Sequence, residues 1–535
     1  MAEQLVSATI AAPGFNGINT QESSIQLDSG YAAQAFNCVI DKFGRIGSRK
    51  GWSKVNSVNA DLGSNPIQFM FEMKDPGGNH LLSAGNNKLF VGTSTLTQKN
   101  VRNSTDTGNA SYTITANHWQ AAALPYGDGS AALSHSYLVQ SGHPMLVYHK
   151  LGTTPHAHDK TDYGFQQLGD VGSLPPGYTT SDFKPNCILA AYGRIWVADI
   201  VGDLETIYFS RLLDGSDFNG GDSGSISINS VFPNNDSIVA LAAHNGFLII
   251  FGKNNIAIYG NPIDVTELQL VEFIPNIGCI ARDSVVSTGT DIIFLSNNGV
   301  RSLTRLVQEK SLPFRDVSKN VRDELLFKID SEANKINIKA TYFENDAFYL
   351  LAIPNVKEVY CFDLRNYLPD GSARATIWNS IEPTSFVVTE NRKLYLGKVG
   401  YIGNYTGYND DASSYRMIYF TNYFDLQQPT TKKLLKKINW VLIGANNQAI
   451  VTKYGFDYLD SYQSISTNLA ATNIYEYGID EYNIAEYSTG IIIGKFGQQL
   501  GGSGSVIQIG LETEIDSHAV SIQKIDCFVK LGKTI

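Results

Sequence analysis

Apolar and polar positions alternate most clearly in residues 241–261, LAAHNGFLIIFGKNNIAIYGN. Two β-branched and aromatic runs, Phe247–Phe251 and Ala257–Tyr259, flank the polar Gly252–Asn255 stretch, and His244-Asn245-Gly246 precedes them. Short apolar runs between Gly and Asn punctuation predict strands joined as a hairpin. The same turn-plus-strand unit recurs as Asn86–Ser94, Ser141–Lys150, Ala191–Ile200, His244–Gly252, Asn297–Arg305, Glu344–Ile353 and Glu390–Val399. Aligned on Leu89, Met145, Ile195, Leu248, Arg301, Phe348 and Leu394, the copies step by 56, 50, 53, 53, 47 and 46 residues.

Most copies follow another short apolar run, as in His80–Gly85, Cys187–Gly193 and Asp291–Gly299, and several precede one, as in Glu205–Leu212 and Glu358–Leu364. Three or four strands per unit of about 50 residues predict a propeller blade. One such sheet cannot bury both faces alone, so neighbours must pack on it and the ring must close. The pattern therefore predicts an all-β chain with a β-propeller of six or seven degenerate blades over residues 65–412, the first two copies being the most divergent. A β-sandwich or solenoid would not sustain this period over so long a stretch.

Two segments interrupt the array. Thr153–Lys184, rich in Gly, Pro, Thr and Asp, reads as a long surface loop. Asp316–Ala333 reads as a helix capped by Asp316 or Ser318, with Val317, Val321, Leu325 and Ile329 on one side. Residues 1–64 lack the repeat; they read as an extended arm that needs a neighbour to order it, with a basic tip at Arg45, Arg49 and Lys50. Residues 413–535 return to long strands, such as Met417–Leu426, Leu435–Gly444 and Ser505–Asp516, and read as a β-rich, sandwich-like domain. The acidic, tyrosine-rich Tyr454–Tyr487 stretch suits an exposed tip or a subunit contact.

Composition agrees with this picture. Tyr (28) and Phe (26) far outnumber Met (5), which favours strands over helix bundles. No apolar run reaches the ~18 residues of a spanning helix. Glu3 stands where a signal peptide carries basic charge, so the expectation is a chain made and kept in cytosol. Cys38, Cys187, Cys279, Cys361 and Cys527 are odd in number and widely spaced, and read as buried free thiols. A net charge of −10 argues against an outer surface built to grip phosphates, yet leaves room for DNA passing through a channel the protein lines.

Chemistry-bearing residues cluster twice. His135, His143, His149, His156 and His158 fall close together, and Asp214, Asp217, Asn219 and Asp222 lie among glycines in LDGSDFNGGDSG. A zinc site seldom rests on one loop, and the acidic loop lacks the terminal Glu of an EF-hand, so both read as polar structure and no metal is assigned. The chain has no GxSxG, HExxH or P-loop, and no Asp-box of the sialidase type; no catalytic residue and no cofactor is assigned, and the expectation is a non-enzyme.

Three features together resemble the tail nozzle (tail tubular B-like) proteins of short-tailed double-stranded-DNA bacteriophages. They are the N-terminal GINTQESS and FNCVIDKFGRIGSRKGW, the degenerate blades with DVSKNVRDELL late among them, and the terminal YFDLQQPTTKKLLKKINWVLIG with VIQIGLETEIDSHAVSIQKIDCFVKLGK. The resemblance implies a structural virion protein, made in host cytoplasm and placed in the tail as a homohexameric ring. It implies contact with the tail adaptor ring and with tail fibres, and a lumen that retains and then passes double-stranded DNA. An acidic lumen would repel phosphates and let the duplex slide. The competing readings are a tail propeller that binds a receptor or carbohydrate and, further off, a glycan-cleaving propeller enzyme.

Overall fold

The Asn and Gly punctuation marks hairpin turns. Asn86-Asn87, Tyr192-Gly193 and Asn245-Gly246 each have positive φ at both residues. That is what two-residue type I′ turns between twisted strands require. The structure, a computed structural model, describes residues 5–23, 27–102, 112–127, 132–151, 162–233, 236–304, 316–444, 448–459, 461–469 and 493–534.

Among the described residues, seven sheets follow one another around a ring. Blade 1 runs from Phe69–Met73 at the axis to Thr97–Lys99 outside, and blade 2 from Gln120–Gly127 to Tyr163–Gln167, with Val101–Arg102 added in parallel. Blade 3 begins at Cys187–Ala191, blade 4 at Ile238–His244, blade 5 at Val286–Ser287, blade 6 at Lys339–Phe343 and blade 7 at Ser385–Val388. Six have four or more strands; blade 5 has three among the described residues. The expected count of six or seven thus becomes six full blades and one shorter sheet. Apolar side chains fill the seams: Trp196 and Phe209 of blade 3 pack with Ile238, Leu248 and Tyr259 of blade 4.

All seven aligned positions lie in or immediately beside the sequence motif's strands, but not always in the same strand of the blade. Leu89, Met145 and Arg301 occupy third strands, whereas Ile195, Leu248, Phe348 and Leu394 occupy second strands. Each blade holds several hairpins with the same turn-then-apolar pattern, so the sequence gives the period and not the register.

The ring closes with a strand from before blade 1. Trp52–Lys54 pairs antiparallel with Ile402–Tyr405 and forms the outermost strand of blade 7. On the axial side, Thr384 Oγ1 and Ser385 Oγ both donate to Ile67 O at 2.7 Å, tying blade 7 to blade 1.

Residues 5–54 are not a separate arm. Leu5–Ala11 pairs with Ser521–Thr534 over seven residues, and Ile46–Ser48 joins the same sheet. Tyr31–Phe36 inserts between the Arg374–Trp378 strand of blade 6 and the Tyr415–Thr421 strand. One ten-stranded sheet therefore runs from blade 6 into the terminal region through an N-terminal strand. The reason is in the core: Ile10, Phe15, Ala32, Ala35, Cys38, Ile40 and Ile46 are buried against Trp440, Tyr419 and Ile525. The neighbour that orders this stretch is the chain's own C-terminal region, which packs a seven-stranded sheet on the far half of the ten-stranded one.

The basic tip is corrected in the same way. Arg49 is fully buried, forks onto Asp410 at 2.6 and 2.9 Å, and donates to Asn37 and Ser380. Its guanidinium lies 4.0 Å from the Tyr415 ring centroid. A bidentate, ring-stacked guanidinium is an internal clamp, here joining N-terminal segment, blade 7 and terminal domain.

The helix is shorter than expected, Arg322–Ser331 after a 3-10 turn at Lys319–Val321. Val317, Val321, Leu325 and Ile329 are all buried, as the spacing predicts. Neither expected cap holds: Ser318 Oγ instead accepts from Val300 N in blade 5, at 2.9 Å. Thr153–Lys184 is not one loop either, since Tyr163–Gln167 is a ladder strand of blade 2 and Leu168–Val171 a helical turn. Residues 152–161 and 470–492, which take in most of the tyrosine-rich stretch, lie outside the described residues.

Candidate functional site

Among the described residues, a cluster of buried charge lies at the propeller axis, at the end where the innermost strands begin. Arg282 sits in a short 3-10 turn before the first strand of blade 5, and only 4% of it is exposed. Its Nη1 donates to Asn186 O at 2.6 Å and Asn186 Oδ1 at 2.9 Å, just before blade 3. Its Nη2 donates to His118 O at 2.9 Å, just before blade 2. One side chain thus reaches from blade 5 across the axis to blades 2 and 3. The adjacent Asp283 receives Arg282 Nε and Nη2, each at 2.9 Å, and pairs with Lys339, the first residue of blade 6.

Burial opposes ionisation of Asp283, but the charges and hydrogen bonds of Arg282 and Lys339 overcome it and hold its carboxyl well below the usual range. Burial pulls Lys339 down, with Asp283 resisting. His118 is pushed down to about 4, first by burial and then by the neighbouring Lys339 and Arg282 charges, so it is neutral at pH 7. These groups form a crosspiece linking four blades at the axial mouth. Chemically, the arrangement holds strands together; each strong donor of Arg282 is already spent on protein oxygens.

The histidines that the sequence brings to notice separate in space. His135 and His149 face each other across two strands of blade 2, ring centroids 5.2 Å apart, and His149 Nε2 lies 2.7 Å from Gln166 Oε1. His143 Nε2 accepts from Thr115 N at 3.1 Å, while its Nδ1 lies 3.2 Å from Ser141 O, which fits a neutral ring protonated at Nδ1. Burial lowers the basicity of His143. His156 and His158 lie outside the described residues. Among the described residues, no three His, Cys, Asp or Glu side chains come together as a metal site.

The acidic loop, between the third and fourth strands of blade 3, uses its carboxylates internally. Asp222 pairs with buried Arg194, whose hydrogen bond pushes it down to about 2. Asp214 Oδ1 accepts from Ser216 N and Oγ at 3.0 and 2.6 Å. Asp217 Oδ1 accepts from Asn219 N and Gly220 N at 3.1 and 2.8 Å. These are the turn-bracing bonds that Asp makes with the backbone two and three residues on. The five cysteines are free and buried, and burial raises every thiol above its ordinary value.

Sequence reasoning missed Arg282, Asp283 and Lys339. The only local signal is a charged pair, Arg282-Asp283, between apolar CIA and SVV, where a strand entry would otherwise be apolar.

No protein-family model and no curated protein matches the chain. Among solved structures, it is similar to the WD40 domain of Neurospora crassa Pan2 at 9% identity and a TM-score of 0.37, over 67% of this chain and 96% of that one. It is also similar to the extracellular domain of a putative hybrid two-component system from B. thetaiotaomicron, at 12% identity and a TM-score of 0.37. That match covers 68% of this chain and 40% of the other.

Proposed function

We propose that the chain is a structural subunit of a ring-shaped conduit, the tail nozzle of a short-tailed double-stranded-DNA bacteriophage, retaining the genome and passing it at ejection. The observation that supports this reading best is the weaving of the N-terminal segment. Leu5–Ala11, Tyr31–Phe36 and Trp52–Lys54 stitch terminal domain, blade 6 and blade 7 together through backbone ladders. Ladders of this kind spread a load over many hydrogen bonds and leave few open edges, which suits a wall. The Arg282 crosspiece bears on where a passage would run: with the axial mouth bridged, DNA would travel along a lumen between copies and not through a propeller.

In this reading the protein carries no catalytic site of its own. Size measurement on the purified chain, and cryo-electron microscopy of particles that carry it, test the reading together. A closed ring around a central channel on the tail axis is expected. A protein that stays monomeric at high concentration, binds glycans and has no place on a tail would refute it in favour of a receptor-binding propeller.

A further inference from the structure

The seven-stranded terminal sheet has an unusual charge balance. Its four main strands, Leu5–Ala11, Thr431–Ile443, Ile493–Gln499 and Ser521–Thr534, carry no arginine, one acid, Asp526, and eight lysines, of which Lys433 is buried and donates to Gln428 O and Ser505 O, in a chain of net charge −10. Side chains alternate between faces along each strand. Ile438, Trp440, Leu442, Ile525, Cys527 and Val529 point into the core. The intervening positions face outward.

Ladder register fixes how the outward lysines are arranged. Val441 pairs with Lys495 on one side and Lys524 on the other, so these two cations flank it in one row. Lys437, two rows on, pairs with Gln499 and Phe528, and its stem lies over Gly497 beside Asn439. Lys432, Lys436 and Lys495 are exposed. The single acid is already engaged: Lys524 Nζ lies 3.0 Å from Asp526 Oδ1, and Thr9 Oγ1 donates to the same oxygen at 2.6 Å. Among the described residues, no carboxylate comes within ion-pair distance of Lys432, Lys436, Lys437 or Lys495.

We propose that this outward sheet face binds the phosphate backbone of duplex DNA without sequence preference. The argument is charge complementarity together with residue type. Lysine is depleted from protein–protein interfaces, whereas a field of flexible point charges suits phosphates in any register. Single strands would need aromatic platforms for unstacked bases, and Phe528 is the one aromatic side chain at the outward positions named here. Backbone-only contacts are weak and let a duplex slide, so a basic face is compatible with passage. The role of this face in a particle rests on the conduit reading; the binding itself does not, and it is measured on the isolated chain.

The test is fluorescence anisotropy of a labelled 30-base-pair duplex of arbitrary sequence, titrated with the full chain from 50 to 200 mM NaCl. The variant combines Lys436→Gln, Lys437→Gln, Lys495→Gln and Lys524→Gln. A control with the same net charge combines Lys74→Gln, Lys253→Gln, Lys357→Gln and Lys393→Gln, all on exposed propeller positions. Wild type is expected to bind with a dissociation constant on the order of 1–100 µM. In the sheet variant, affinity at 50 mM salt falls more than tenfold and the slope of log K against log salt flattens by about 3–4, while the control keeps most of both. No binding by wild type, or equal losses in the two variants, overturns the proposal. So does a sheet variant that still binds duplex but loses self-association in mass photometry, which would make the face a contact between copies. None of these outcomes alone removes the ring, which is read separately by size and microscopy.

Discussion

Replacing Arg282 with methionine tests whether the axial crosspiece holds the propeller together. The substitution keeps much of the stem volume and removes five hydrogen bonds: two to Asp283, two to Asn186 and one to His118 O. Asp283 then has Lys339 alone, and three half-buried carbonyl oxygens, Asn186 O, Asn186 Oδ1 and His118 O, lose a charged donor. Breaking a buried ion pair from one side costs about 3–5 kcal/mol, and each orphaned buried carbonyl about 1–3 kcal/mol, with overlap between the two terms. A total of about 4 kcal/mol is expected, against no measurable change for Lys74→Gln, whose ion pair with Glu390 is exposed on both sides.

Because a chain of this size need not unfold in one step, the assay is native-state hydrogen exchange read per strand. Gln120–Gly127, Cys187–Ala191 and Lys339–Phe343 should lose protection together, and the terminal domain should keep it. The pH dependence follows from the low-lying Asp283 carboxyl. Its contribution is present in full above the unfolded carboxylate value of about 3.9 and is lost as pH falls further toward the folded value. A variant with wild-type exchange in all three strands, or a loss spread evenly over the chain, would refute the reasoning.

Two further outcomes follow from buried titratable groups. His118 is pushed down to about 4, so the unfolded chain takes up its proton first, and stability should decline as pH falls from about 6.5 to 4. His118→Gln should flatten urea-midpoint profiles in that window and leave them unchanged at pH 8. Asp316 is pushed up to about 6, chiefly by burial, and its Oδ1 has no hydrogen-bond partner. Ionising it costs the native state between pH 4 and 6, so Asp316→Asn should stabilise the chain at pH 8 by on the order of 1–2 kcal/mol and change little at pH 4. A destabilised variant at pH 8 would show that the attraction of Arg301 outweighs burial.

The propeller was legible because turn chemistry and strand alternation are local, and locality survives in a sequence. Asn86-Asn87 and Asn245-Gly246 announce their hairpins by residue type alone. Which hairpin of a blade they mark is set by packing against the neighbouring blade, and so Leu89 and Leu248 fall in different strands. The N-terminal stretch reads as an arm because its partners lie hundreds of residues away: Leu5 opposite Lys530, Phe36 opposite Ile377. Arg49 looks like a surface cation until Asp410 and Tyr415 close around it. The lysine face was half visible in TKKLLKK; the rest comes from strands separated in sequence and joined only by register.

The strand that closes the ring also sets a schedule for synthesis. Lys54 meets Gly403, and Leu5 meets Lys530, so each of these strands must wait for a partner made hundreds of residues later. At about 5–20 residues per second, that wait is roughly half a minute to two minutes. Until then Trp52–Lys54 has no blade 7 to join, Leu5–Ala11 has no partner strand, and the sheet shared by blade 6 and the terminal domain lacks Tyr415–Thr421 and the strands beyond it. Such unpaired apolar edges invite pairing with other chains. Blades 1 to 4 draw their strands from contiguous sequence and can form as they emerge, whereas ring closure waits until Ile402–Tyr405 has been made.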